Sequence, residues 1–141
     1  MSDKQQILIL CTGNSARSQM AEAWLRENGG ERFAVYSAGS RPSGYVHNGA
    51  ITAMAEKGID LSEHTSKSML DFIKHEFDYV LTVCDNAAEE CPVFPGKGTR
   101  IHHGFTDPAA APHDKLMDEF RRVRDEIIVW LNDLFDLDSN L

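Results

Sequence analysis

The run Ile7-Leu8-Ile9-Leu10 is continuously apolar and ends on Cys11. A run without polar alternation reads as a short strand buried on both faces, the kind found in parallel sheets covered by helices. Small polar residues follow in Thr12-Gly13-Asn14-Ser15, and from Ala16 the pattern turns helical. Such a strand-loop-helix unit gathers the loop's backbone N–H groups and the positive end of the helix at one point, which suits an oxyanion. Cys11 stands at that point. A helix terminus and a neighbouring guanidinium both favour a thiol in its anionic form. Arg17 supplies the guanidinium, and its planar fork matches a tetrahedral oxyanion. The expected arrangement is a sulfur nucleophile facing a phosphate-like ion.

Beyond this unit, strand and helix patterns alternate. Strand one is expected at Ile7–Cys11 and helix one at Ala16–Asn28, buried through Met20, Ala23, Trp24 and Leu25 and stopped by Gly29-Gly30. A second strand is expected at Phe33–Ser37, a loop over Ser37–Gly44, and helices at Asn48–Lys57 and Ser66–His75. A central strand follows at Tyr79–Val83, a short helix at Asp85–Glu90, a last strand at Arg100–His103 and a long amphipathic helix at His113–Leu137. That helix carries Leu116, Phe120, Val123, Ile127, Trp130, Leu131 and Leu134 at helical spacing, which reads as core. The alternation implies an α/β three-layer sandwich with a four-stranded, mostly parallel sheet. No repeat, low-complexity tract or linker interrupts residues 1–141, so one domain is expected. Ligands in such sheets bind beyond the carboxyl ends of strands. Cys11 and Cys84 each close an expected strand, so both are expected at one edge of the sheet.

Charge and composition narrow the partners. With 14 Lys and Arg against 22 Asp and Glu, the net charge is -8, which argues against nucleic acid. An anion site here must therefore rest on local dipoles and a few placed cations. No apolar run reaches the length of a membrane span, and Met1-Ser2-Asp3-Lys4-Gln5-Gln6 lacks a signal-peptide pattern, so a cytoplasmic protein is expected. In that compartment three cysteines read as catalytic or redox-active before structural. The spacing Cys11-x5-Arg17-Ser18 is that of a thiolate phosphatase loop. It is not a nucleotide loop, because no Gly-Lys-Ser or Gly-Lys-Thr follows. The plain alternative is a buried strand-end cysteine beside a surface arginine; placement between strand and helix, with Gly13 and small neighbours, favours the chemistry.

The segment Cys11-Thr12-Gly13-Asn14-Ser15-Ala16-Arg17-Ser18-Gln19-Met20-Ala21-Glu22 resembles the first motif of the arsenate reductases built on the low-molecular-weight tyrosine phosphatase fold, a flavodoxin-like architecture. Tyr36-Ser37-Ala38-Gly39, His64-Thr65-Ser66, Thr82 to Pro92, Gly104-Phe105-Thr106-Asp107-Pro108-Ala109 and Arg121 to Ile127 resemble further family segments, so the likeness covers nearly the whole chain. The resemblance implies a three-cysteine relay that reduces arsenate to arsenite. Cys11 attacks arsenate, Cys84 attacks Cys11, and Cys91 attacks Cys84 to leave a Cys84–Cys91 disulfide that thioredoxin reduces. It implies that Thr12, Gly13, Asn14, Ser15, Ala16, Arg17 and Ser18 bind the oxyanion, with Arg17 clamping it, Ser18 bonded to Cys11 and Asn14 bracing the loop. Asp107 matches the acid that protonates the leaving oxygen. No bound cofactor is implied, electrons come from thioredoxin, and the protein is expected to be a monomer. If residues 85–91 stayed helical, the two cysteine backbones would stand roughly 10 Å apart; a disulfide tolerates up to only about 7 Å. The segment is therefore expected to unwind when Cys84 and Cys91 pair.

Some positions depart from the family pattern. In better-known thioredoxin-coupled members, Asn14, Glu22 and Ser37 would form a potassium site with an aspartate where this chain has Lys67. Exchanging a carboxylate for an ammonium disfavours cation binding, so no metal site is expected, and Lys67 is expected to reach toward Glu22 in the ion's stead. Cys84-Asp85-Asn86 replaces a more usual Cys-Gly-Asp or Cys-Ser-Asp, and His102-His103 stands where His-Trp is common. A zinc set of these histidines with Cys84, Cys91 or His113 has the wrong spacing for a zinc knuckle. Arg121, Arg122 and Arg124, alternating with acids, read as a solvated face with intrahelical pairs. Two other functions use the same residues: a low-molecular-weight tyrosine phosphatase acting through a phosphocysteine, and an oxyanion-binding redox sensor. Phosphatases of that family typically place a tyrosine after Asp-Pro; here Ala109 follows Pro108, which favours a small inorganic ion.

Overall fold

The structure is a computed structural model that describes residues 4–85, 91, 94–96 and 98–137. Four parallel strands, β1 (Gln5–Cys11), β2 (Phe33–Gly39), β3 (Tyr79–Thr82) and β4 (Thr99–His102), lie in the order β2-β1-β3-β4. Helices α1 (Arg17–Gly29), α2 (Asn48–Ala55) and α3 (Leu116–Phe135) pack on one another and on the sheet.

The unbroken apolar run behaves as expected. Ile7, Leu8, Ile9 and Leu10 have no exposed surface, so β1 is covered on both of its alternating faces. The neighbouring strand shows what covers each side. Phe33 of β2 meets Phe135 of α3, whereas Tyr36, on the opposite face, packs against Phe72, His75 and Phe77. The stripe of α3 buries Phe120, Val123, Ile127 and Leu131 fully, with Leu116, Trp130 and Leu134 half-buried at its margins. Truncating a fully buried residue such as Leu131 to alanine costs about 2–5 kcal/mol.

Three expectations need correction. Residues 66–75 do not form an α-helix. Gly39 N–H donates to Lys67 O, Lys67 N–H donates to the Asn14 side chain, and Ser68 forms an isolated parallel bridge with Gly39. The backbone there is spent on the edge of β2 and on the Cys11 loop, and only a short 3-10 turn remains at Met69–Phe72, capped by Ser68. Arg124 is not solvated: it lies one position beyond the buried stripe and donates to Ala53 O at 2.9 Å and Glu56 at 2.7 Å, tying α3 to the end of α2. Arg121 also reaches Glu56, so only Arg122, between Glu119 and Glu126, makes purely intrahelical pairs. β1 begins two residues and β4 one residue earlier than expected, and β2 continues through Gly39. The expected helix at Asp85–Glu90 lies outside the described residues beyond Asp85.

Candidate active site

Cys11 and Cys84 do end at one edge of the sheet. β1 and β3 are neighbours in register Leu10↔Thr82, so the two chains leave the sheet side by side. Cys11 is 2% exposed and Cys84 5%, and Thr12 Oγ1 lies 3.2 Å from the Cys84 sulfur.

The loop after Cys11 is fixed by its carbonyls. Cys11 O accepts from Ser40 N–H, Thr12 O from Arg41 N–H, and Gly13 O from both Ser43 N–H and the Ser66 hydroxyl. Asn14 O accepts from the Gln19 amide, Ser15 O from His47 N–H, and Ala16 O from Met20 N–H. No carbonyl or side chain among the described residues takes the N–H groups of Gly13, Asn14, Ser15 or Ala16. Every acceptor of the loop is thus turned to the protein, and four donors beside the start of α1 are left for an anion. Gly39 makes the close packing possible: a Cβ there would sit 2.5 Å from Thr12 O.

Side chains order the loop from behind. Asn14 adopts a left-handed φ of 47°, which asparagine tolerates better than most residues. Its amide donates to Ser18 Oγ at 2.8 Å and Ser37 Oγ at 2.9 Å, and its oxygen accepts from Lys67 N–H. Ser37 donates onward to the buried carboxylate of Glu22. With that proton committed, Ser37 accepts from Asn14, Ser18 also accepts from Asn14, and the Ser18 proton is left for the Cys11 sulfur 2.8 Å away. That direction serves an anionic nucleophile.

Arg17 opens α1 and faces the cleft lined by Thr12, Arg17, Cys84, Asp85, Gly104, Phe105, Thr106 and Asp107. Its Nη1 donates to Phe105 O at 3.0 Å, and its Nη2 stands 4.0 Å from Asp107 Oδ2. The other oxygen of Asp107 caps the 3-10 turn Pro108–Ala110 by accepting from Ala109 N–H. Asp107 is thereby held at the cleft rim, half exposed. Cys91 is half-buried, and burial raises its thiol above the ordinary range while Arg100 pulls in the opposite sense.

Potassium, which the family resemblance raises, does not fit here. Asn14 Oδ1 accepts from Lys67 N–H, the Ser37 hydroxyl accepts from the Asn14 amide and donates to Glu22, and Glu22 also meets the Arg26 guanidinium at 2.7 Å. Lys67 Nζ donates to Thr65 O rather than to Glu22, so the expected contact is corrected; Arg26 is the direct partner. The Lys67 ammonium still feels Glu22, which opposes the lowering of its pKa by burial. Burial also keeps His64 below the ordinary histidine range, beside Gln19. Among the described residues no group of three or more His, Cys, Asp or Glu could hold a metal ion.

Sequence reasoning missed several contributors. Gln19 bridges Asn14 O and Thr65 O from a fully buried position; a polar residue on the apolar face of an amphipathic helix was the available signal. Arg26 and the Phe105 carbonyl had no such signal.

Comparison with known proteins places these features in a family. Residues 6–137 match the low molecular weight phosphotyrosine protein phosphatase family. Arsenate reductase 2 of Staphylococcus saprophyticus is 48% identical over 134 residues, covering 95% of this chain and 98% of that protein. A solved structure of an arsenate reductase in the phosphate binding state gives a TM-score of 0.77 at 30% identity, over 94% of this chain and 97% of that one. A thioredoxin-dependent arsenate reductase of Corynebacterium glutamicum gives 0.72 at 27% identity, over 94% of this chain and 60% of that one. With a cysteine-to-arginine loop at the end of its first strand and matches across nearly its whole length, the chain belongs to the low-molecular-weight phosphotyrosine protein phosphatase family, alongside that family's arsenate reductases.

Proposed function

We propose that this protein reduces arsenate to arsenite by a three-thiol relay. The observation that carries the reading is the pairing of four free loop N–H donors behind Cys11 with a second buried thiol, Cys84, held at the same cleft by Thr12. A phosphatase needs the first of these features and has no use for the second.

The Cys11 thiolate attacks arsenic, a sulfur–arsenic bond forms, and an arsenic–oxygen bond breaks. Asp107 gives its proton to the departing oxygen, and Arg17 with the loop N–H groups holds the charge on the remaining oxygens. Cys84 then attacks the Cys11 sulfur. The sulfur–sulfur bond forms, the sulfur–arsenic bond breaks, and its electron pair reduces As(V) to As(III), which leaves as arsenite. Cys91 attacks Cys84, frees Cys11 and leaves a Cys84–Cys91 disulfide. A dithiol protein reductant of the thioredoxin class returns the two electrons and two protons. The thioredoxin-dependent relative supports this choice of donor. Metal and bound cofactor have no step in this scheme.

The test is arsenate-dependent NADPH oxidation with thioredoxin and thioredoxin reductase, for the wild type and for Cys11→Ser, Cys84→Ser and Cys91→Ser. Loss of turnover in all three variants is expected. Absence of turnover in the wild type, with aryl phosphate hydrolysis that needs Cys11 alone, would move the protein to the phosphatases.

A further inference from the structure

Cys84 is followed by an acidic residue whose carboxylate, although 85% exposed, is paired with a histidine. Asp85 Oδ1 lies 2.9 Å from His102 Nε2, and His102 Nδ1 lies 2.8 Å from Thr82 Oγ1. Thr82 and His102 are register partners at the ends of β3 and β4. The imidazole therefore spans from the last residue of one strand to the first residue beyond Cys84. Its Nε2–H donates to the carboxylate, and its Nδ1 shares a proton with the threonine hydroxyl. The backbone beside it is also paired: His103 N–H donates to Thr82 O and Phe105 N–H to Val83 O. Gly104 leaves the room, since a Cβ there would stand 2.9 Å from Asp85 Oδ1.

We infer that the Thr82–His102–Asp85 bridge is a latch that holds the backbone at Cys84 in place, keeping its sulfur against Thr12 and over the Cys11 loop. His102 and Asp85 are positioning residues, acting through Cys84. This rests on the proposed relay and deepens it. The relay asks one sulfur to meet two partners in turn, Cys11 first and Cys91 second. A backbone pinned immediately on the C-terminal side of Cys84 answers the first part of that demand by keeping Cys84 beside the loop. The latch raises the effective concentration of the Cys84 thiol at Cys11 without touching the oxyanion.

The experiment uses the full chain carrying Cys91→Ser, which halts the relay at a Cys11–Cys84 disulfide. Arsenite released in one turnover is counted first. The disulfide is then equilibrated against reduced and oxidised glutathione, in this parent and with Asp85→Ser, His102→Leu and both together. The parent is expected to release one arsenite per chain. Each single change is expected to lower the equilibrium constant for the Cys11–Cys84 disulfide about threefold to fivefold, the scale of one solvent-exposed polar contact. The double change is expected to be no worse than the worse single one, because both remove the same contact. The half-saturating arsenate concentration of the His102→Leu protein is expected to match that of the parent, which a general loosening of the site would not allow. A parent that releases no arsenite overturns the relay and the latch together. A parent that releases it, with variant constants equal to its own or with additive losses, overturns the latch alone.

Discussion

Cys11 and Cys84 both leave the sheet at the end of a buried strand, and both are nearly without exposed surface. The chain just beyond each of them is held differently. From Cys11 to Ala16, six consecutive carbonyls are bonded within the protein, and Asn14, Ser18, Ser37 and Glu22 form a buried string of hydrogen bonds behind the sulfur. After Cys84, the side-chain contacts among the described residues are Thr12 on the sulfur and His102 on Asp85, whose carboxylate is 85% exposed. One wall of the cleft is fixed by many buried bonds and the other by a few near solvent. The difference suits the work that the proposed relay asks of each thiol. An oxyanion loop must present its donors in one geometry before the ion arrives, whereas a resolving thiol must reach one partner and then be reached by another.

The largest effects are expected on the fixed wall. Arg17→Lys keeps the charge and loses the fork, and kcat/KM for arsenate is expected to fall by about 10²–10³; a fall of less than tenfold in steady-state assays would mean that a point charge suffices. Next, Gly39→Ala pushes a methyl group toward Thr12 O and is expected to cost about 2–3 kcal/mol in urea unfolding while also weakening arsenate binding. A loss of stability with unchanged binding would show that the loop can shift without penalty. Burial raises the Cys91 thiol above its ordinary range. Closure of the Cys84–Cys91 disulfide, followed by rapid quench, should therefore speed up as pH rises, by about tenfold per unit until the thiol titrates. A flat profile across neutral pH would assign the slow step elsewhere. The smallest effect concerns the cations behind the loop. With Arg26 on Glu22 and Lys67 nearby, turnover in potassium chloride should equal turnover in sodium chloride of the same strength. Stimulation by potassium would mean that a side-chain cation does not replace the ion.

The fixed wall was legible in the sequence because its logic is local. Cys11 and Arg17 lie within one strand-loop-helix unit, and the run of four apolar residues before them reads as a doubly covered strand; the roles of Asn14 and Ser18 came from the family resemblance. The central place of β3 followed from the same kind of run at Tyr79, whereas the strand order β2-β1-β3-β4 had no signal in the sequence. The looser wall was harder to read. Asp85 and His102 are 17 positions apart and meet only through the register of β3 with β4, which composition does not encode. Ser66–His75 looked helical by spacing, yet Ser68 and Lys67 were drawn into extended pairing by the edge of β2 and by Asn14. Arg124 looked like surface charge because its partners, Ala53 O and Glu56, lie on a different helix.

The hold of Phe105 O on Arg17 has a further consequence, one of entropy. A small tetrahedral ion has few atoms with which to offset the ordering of flexible groups, and a free arginine side chain costs about 2 kcal/mol to immobilise. Here that ordering is completed during folding, when the carbonyl from the opposite wall takes one of the guanidinium's donors. In the proposed reaction the ion meets an arginine already in position, so its limited contact energy goes into selecting charge and shape. The same bond means that any movement of the Gly104–Asp107 strip carries the arginine with it, and the grip on the oxyanion changes as the cleft does.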